Sequence, residues 1–96
     1  MKIRWLQSAT RSRMAQLDYI AADNPEAAIR LYVLIERQID KLGVSPEAGR
    51  EGRVAGTREM VIAGTPFIVV YRVTMAEVEI LRVLHGAQRW PPGKGA

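Results

Sequence analysis

The chain has no cysteine and a single histidine, His85. The first absence excludes a disulfide framework and any thiolate metal site, and one histidine cannot supply the ligand set of a zinc cluster. No stretch approaches the roughly 18 consecutive apolar residues of a membrane span. Lys2-Ile3-Arg4 is not followed by the apolar block of a signal peptide. Internal repeats and low-complexity tracts are also missing. These absences predict a cytoplasmic protein with no metal, no cofactor and no membrane partner. With 96 residues and 10.7 kDa there is room for one modest core and no second one. A single domain is expected over residues 1–90, followed by a short flexible tail, 91–96.

What the chain does have is arginine. Lys and Arg number 14 against 10 Asp and Glu, a net charge of +4, and eleven of the 14 are arginine. A basic domain of this kind suits an anionic partner, either nucleic acid or an acidic protein segment. Arginine's planar fork pairs bidentately with phosphate or carboxylate and tolerates partial burial better than lysine. A GC-rich genome would also enrich arginine, so position has to decide.

Along the chain, KIRWL at Lys2 to Leu6 reads as a short strand. Ser8 is placed to cap a helix over Ala9 to Ala22, with Met14, Leu17, Ile20 and Ala21 at helical spacing. Asn24-Pro25-Glu26 then opens a second helix: an N-cap, a proline where its missing donor costs nothing, and an acid at the positive end. The stripe Ala28, Leu31, Ile35, Ile39 and Leu42 carries this helix to Gly43. So short a link predicts a helix hairpin. Gly43 to Gly56 holds four glycines, one proline and no periodicity, which predicts a loop bearing Arg50 and Arg53. Three strands follow, at Thr57 to Ile62, Phe67 to Val73 and Glu77 to Leu84, as an antiparallel meander. The fold class is α+β, with a helix hairpin on one face of a small antiparallel sheet.

Residues two apart on a strand share a face. Phe67, Val69, Tyr71 and Val73 form an apolar set that belongs under the helices, which turns Arg72 outward. Arg58 is expected outward too, beside the arginine-bearing loop. Arg82 is ambiguous, because both faces of its strand carry apolar groups. Bland roles compete throughout. His85 can cap the sheet, Arg72 and Arg82 can pair with Glu59, Glu77 or Glu79 across strands, Arg50 and Arg53 can be solvated loop charges, and Trp90 can close the core edge.

The order of elements, together with Gly56-Thr57-Arg58-Glu59, Val70-Tyr71-Arg72-Val73 and Val78-Glu79-Ile80-Leu81-Arg82-Val83-Leu84-His85-Gly86, resembles the RelE/ParE family of bacterial toxins from Lys2 to Trp90. The resemblance implies the toxin half of a type II toxin-antitoxin module, neutralised in a hetero-oligomer by an antitoxin with an acidic, partly disordered segment. Two activities occur in that family. ParE-like members poison DNA gyrase and need no catalytic acid or base; RelE-like members cut messenger RNA on the ribosome. The VLHG ending and the YRV strand are closer to the ParE-like style.

The nuclease alternative has a definite chemistry. Attack by a 2'-hydroxyl needs a base, an acid for the departing 5'-oxygen, and cations for the phosphorane charge. His85 is the side chain suited to proton transfer, with Arg58, Arg72 and Arg82 around the phosphate. The departures are Gly86 after His85, where many family nucleases carry an aromatic or a second proton-transfer group, and arginines in a loop where lysines are common. Arg50, Arg53, Arg58, Arg72, Arg82, Arg89 and Trp90 are the candidates for contacting nucleic acid or antitoxin. A third reading is a non-toxic module that only binds an antitoxin.

Overall fold

The computed structural model describes residues 1–92. Its elements are β1 (Lys2–Trp5), α1 (Gln7–Asp23), α2 (Pro25–Asp40), β2 (Arg50–Glu51), β3 (Arg58–Val61), β4 (Phe67–Val73) and β5 (Glu77–His85), with 3-10 turns at Lys41–Gly43 and Pro46–Ala48. Of the expected tail, residues 93–96 lie outside the described residues. No helix among the described residues is long and apolar enough to cross a membrane.

Asn24 alone separates the two helices, and it acts as the sequence predicts. Its side chain accepts the backbone N–H of Ala27 at 3.1 Å, with Pro25 and Glu26 in the first turn. Replacing this oxygen with a methyl group leaves an orphan donor at the helix start. Asn24→Ala is expected to cost about 1 kcal/mol, read as a lower urea midpoint with unchanged slope. Helix α2 delivers its predicted stripe: Ala28, Leu31, Ile35 and Ile39 are buried, and Leu42 continues it in the following turn.

Helix α1 departs from expectation. It begins at Gln7 with Leu6 as a cap that makes no side-chain bond, and Ser8 lies within the helix. The Ser8 hydroxyl instead donates to the carbonyl of Leu81 at 2.8 Å, and Ser12 Oγ accepts the Val83 N–H at 2.9 Å. Both bonds fall at an irregularity in β5. There the register passes from Val70↔Arg82 to Tyr71↔Ile80, so Leu81 has no partner on β4. A bulge disrupts the local ladder, and the two serines of α1 satisfy backbone groups that flank it.

The sheet is mixed rather than wholly antiparallel. Its order is β1-β5-β4-β3-β2, and β1 runs parallel to β5, with Ile3 opposite Val78 and Trp5 opposite Ile80. The segment expected as plain loop contributes the two-residue β2, which pairs with β3. Phe67, Val69 and Tyr71 lie in the core as the parity predicts, whereas Val73 at the strand end is 37% exposed. A cation the sequence did not single out joins β1 to the helices. The Arg13 guanidinium stacks 3.9 Å from the Trp5 ring and 4.9 Å from Tyr32, and pairs with Glu36.

Candidate functional site

Directly opposed residues share a face, so the register sorts the candidate residues. Tyr71 is buried in the core, and Arg58 pairs with it; Arg58 is therefore on the helix-facing side. This corrects the expectation that it points outward with Arg72. It escapes the core because it lies at the strand start, where its Nη1 donates to the Gly49 carbonyl at 2.7 Å. Arg72 and Arg82 do share the outer face, opposite Glu79 and Val70 respectively. His85 opposes Phe67, on the helix-facing side at the far end of the same hairpin. The Arg72 and Phe67 pairs are separated by about 17 Å along β4 at some 3.4 Å per residue. Arg58, Arg72 and His85 do not converge.

On the outer face the arginines are largely neutralised from within. Glu59 is 2% exposed and accepts from Arg53 through the backbone N–H at 2.8 Å and through the side chain at 2.9 to 3.2 Å. Arg50 adds a bond at 3.3 Å. Burial pushes the Glu59 carboxyl upward, but the hydrogen bonds from Arg53 and Arg50 outweigh it and hold the group below the usual carboxylate range. Glu79, also buried, accepts from Arg72 at 2.7 and 2.8 Å and from Arg4 of β1 at 3.4 Å. The bland reading of Arg72 as a ladder partner of a nearby carboxylate is thus what the geometry contains, whereas Arg50 and Arg53, expected as solvated loop charges, are paired with Glu59.

Arg82 is different. Among the described residues it pairs with no carboxylate, and its guanidinium lies 5.3 Å from the centroid of the Trp90 ring. The Trp90 Nε1 is buried without a hydrogen-bond partner. Trp90 therefore flanks an outer-face cation and does not belong to the helix-side core cluster. Arg89 is exposed in the segment after β5.

A cleft of about 470 Å³ opens where the Gly52 to Thr57 loop meets the strand ends, lined by Glu51, Arg53, Arg58 and Val73. Gly56 turns this loop with φ +79, a conformation open to glycine. The segment that leads into β2 and this loop is pinned from below by Tyr71, whose hydroxyl accepts the Gly49 N–H at 2.8 Å and donates to the Pro46 carbonyl at 2.7 Å. Burial raises the Tyr71 phenol above its ordinary range, against the opposing pull of the Gly49 N–H and the Arg58 charge. The parity of β4 predicts Tyr71 in the core but not this bond; its one signal in the sequence is a tyrosine where phenylalanine or valine would pack.

Residues 3–90 match the family described as ParE toxin of type II toxin-antitoxin system, parDE. A Sinorhizobium fredii protein, Y4kP, whose own description as a toxin is provisional, is 43% identical over 91 residues, covering 94% of this chain and 93% of that one. A solved structure of the chromosomal ParDE toxin-antitoxin system from P. aeruginosa superposes with a TM-score of 0.81 at 28% identity, over 88% of this chain and 95% of that one. The RelBE2 toxin-antitoxin complex from Mycobacterium tuberculosis shares the fold, with a TM-score of 0.60 at 24% identity over the same shares. The mixed sheet under a helix hairpin is the ParE/RelE fold, and the chain belongs to the ParE toxin family of type II toxin-antitoxin systems.

Proposed function

We propose that the chain arrests growth in the bacterial cytoplasm by binding and poisoning DNA gyrase rather than by cutting RNA, and that an acidic antitoxin neutralises it. The observation that carries the choice of mechanism is the dispersal of Arg58, Arg72 and His85 over two faces and two ends of the sheet. A catalytic acid or base has to reach the reacting atoms at about 3 Å, directly or through one water. Groups on opposite faces of a sheet cannot meet that requirement around one phosphate. A toxin that works by occupying its target needs no such convergence. The outer face offers Arg82 and Trp90, an arginine and an aromatic of the kind that anchors interfaces, between flanks already neutralised by Glu59 and Glu79. The cleft beside Arg58, which pairs with no carboxylate among the described residues, provides a second contact.

The test uses purified full-length protein with gyrase and supercoiled plasmid, beside translating ribosomes with a defined message. The expected result is accumulation of gyrase-linked plasmid breaks and an intact message. Arg82→Ala is expected to need about tenfold more protein for the same breaks, the cost of one interface anchor. Message cleavage at the ribosome without gyrase-linked breaks would replace this reading with the nuclease one. Growth arrest that is absent on induction would replace it with a module that only binds its antitoxin.

A further inference from the structure

His85 has no part in the activity proposed above, yet its surroundings are specific. Its ring meets Phe67 edge-on, with centroids 5.6 Å apart and planes at 82°. The Ala87 N–H donates to Nδ1 at 3.1 Å, so the neutral ring carries its proton on Nε2. Gln88 is held by its oxygen, which accepts from the His85 N–H at 2.6 Å and from the Gln16 amide at 2.8 Å. Neither His85 Nε2 nor the Gln88 NH2 has a hydrogen-bond partner among the described residues. Both residues line a pocket of about 670 Å³ between α1 and the end of the β4–β5 hairpin. Ala15, Ile20, Pro66 and Phe67 supply its apolar walls, and Tyr19 stands at its rim, 83% exposed.

That volume lies within the range of small-molecule sites, which are mostly apolar with a few placed polar groups. The unpartnered groups of His85 and Gln88 are donors; Gln16, whose Nε2 is taken by Gln88, adds an amide oxygen, and Tyr19 a hydroxyl that donates or accepts. No acidic side chain lines the pocket, so a cationic ligand would find no counter-charge. A purely apolar ligand would bury two donors unmatched, which carries the full cost of desolvating them. We propose that the pocket binds an apolar carboxylate, with an aromatic or branched hydrocarbon body against Ile20, Pro66 and Phe67 and a carboxylate accepting from His85 Nε2 and the Gln88 amide. Such a group is found on a free aromatic or branched-chain acid and on the last residue of a polypeptide.

The test is titration of the full-length protein with 3-phenylpropionate, N-acetylphenylalanine and N-acetylphenylalanine amide, following the His85 ring resonances by NMR. At least one of the two acids is expected to bind with a Kd of about 1 mM, as suits ligands of this size. The amide is expected to bind about tenfold more weakly, and His85→Ala to weaken the acid by a similar factor. Gln88→Ala, an exposed position, gives a second reading if His85→Ala folds poorly, with a loss of about threefold. Tighter binding of N-acetylphenylalanine than of phenylpropionate identifies the polypeptide terminus; the reverse order identifies a free acid. Equal binding of acid and amide, or no shift of the His85 resonances up to about 20 mM of either acid, overturns the proposal. The measurement does not depend on gyrase or on growth arrest, so it stands or falls separately from the toxin mechanism.

Discussion

Gly49→Ala is expected to destabilise the protein by about 3 kcal/mol and to release the arginine-bearing loop from the sheet. The backbone conformation is not the reason, since Gly49 has φ −79, open to any residue. Space is the reason. A Cβ at this position would lie 2.6 Å from the Tyr71 hydroxyl, 2.7 Å from its ring and 2.9 Å from the Glu59 carbonyl oxygen. Tyr71 is fully buried with its hydroxyl bonded on both sides, and Glu59 is paired into the sheet between β2 and β4. Neither can retreat without breaking other contacts. Overpacking costs roughly 1 to 3 kcal/mol and the stranded Gly49 N–H and Pro46 carbonyl add roughly 1 to 3 more. In a domain of this size the melting temperature should fall by about 15 °C, measured by calorimetry. A fall of under about 3 °C would mean that the loop is not seated on Tyr71 as described.

The helices were legible because their signals are local. Asn24, Pro25 and the stripe from Ala28 to Leu42 act within one element, and each is where the spacing puts it. The sheet was legible only in part. That β1 lies beside β5 and parallel to it depends on a pairing across more than 70 residues, and Lys2 to Leu6 carries no mark of its neighbour. The two residues of β2 are too few for any alternation to show. The bulge at Leu81 is the least legible feature of all. Counting by twos from Val78 and Ile80 puts Arg82 and Leu84 in the core, but the extra residue turns Val83 inward and Arg82 outward. This is why the alternation in β5 looked ambiguous.

For the candidate site the balance is different. Arg72 was correctly turned outward by its apolar neighbours on β4. Arg58 was misassigned although the sign was present, because it shares parity with Met60 and Ile62, which pack in and against the core. The carboxylates were named only as routine ladder partners. Their burial could not be read from the sequence, since nothing local separates Glu59, 2% exposed, from Glu77, whose side chain is 21% exposed. Burial of an acid depends on the cations that surround it, and those of Glu59 and Glu79 together come from three segments: β1, residues 50–53 and β4.

Glu59→Gln is therefore expected to be the most informative change on the outer face. The carboxylate accepts a backbone N–H and the forks of two arginines while being nearly inaccessible to water. An amide of the same shape replaces one acceptor oxygen with a donor that faces other donors, and removes the charge that the bonds reinforce. Hydrogen bonds to charged groups contribute about 1.5 to 3 kcal/mol each, and the exposed arginines can recover part of that by returning to water. A net loss of about 2 to 3 kcal/mol at pH 7 is expected by urea denaturation. The pH dependence fixes the cause. The folded-state pKa of Glu59 lies below its unfolded value, so its contribution is fully present above the unfolded pKa, near 4.3, and is lost as pH falls through the folded pKa. The gap between wild type and Glu59→Gln should thus be widest near neutrality and shrink below about pH 4. A gap that stays constant down to pH 3 would assign the loss to shape alone and remove the charge of Glu59 from the account of this face.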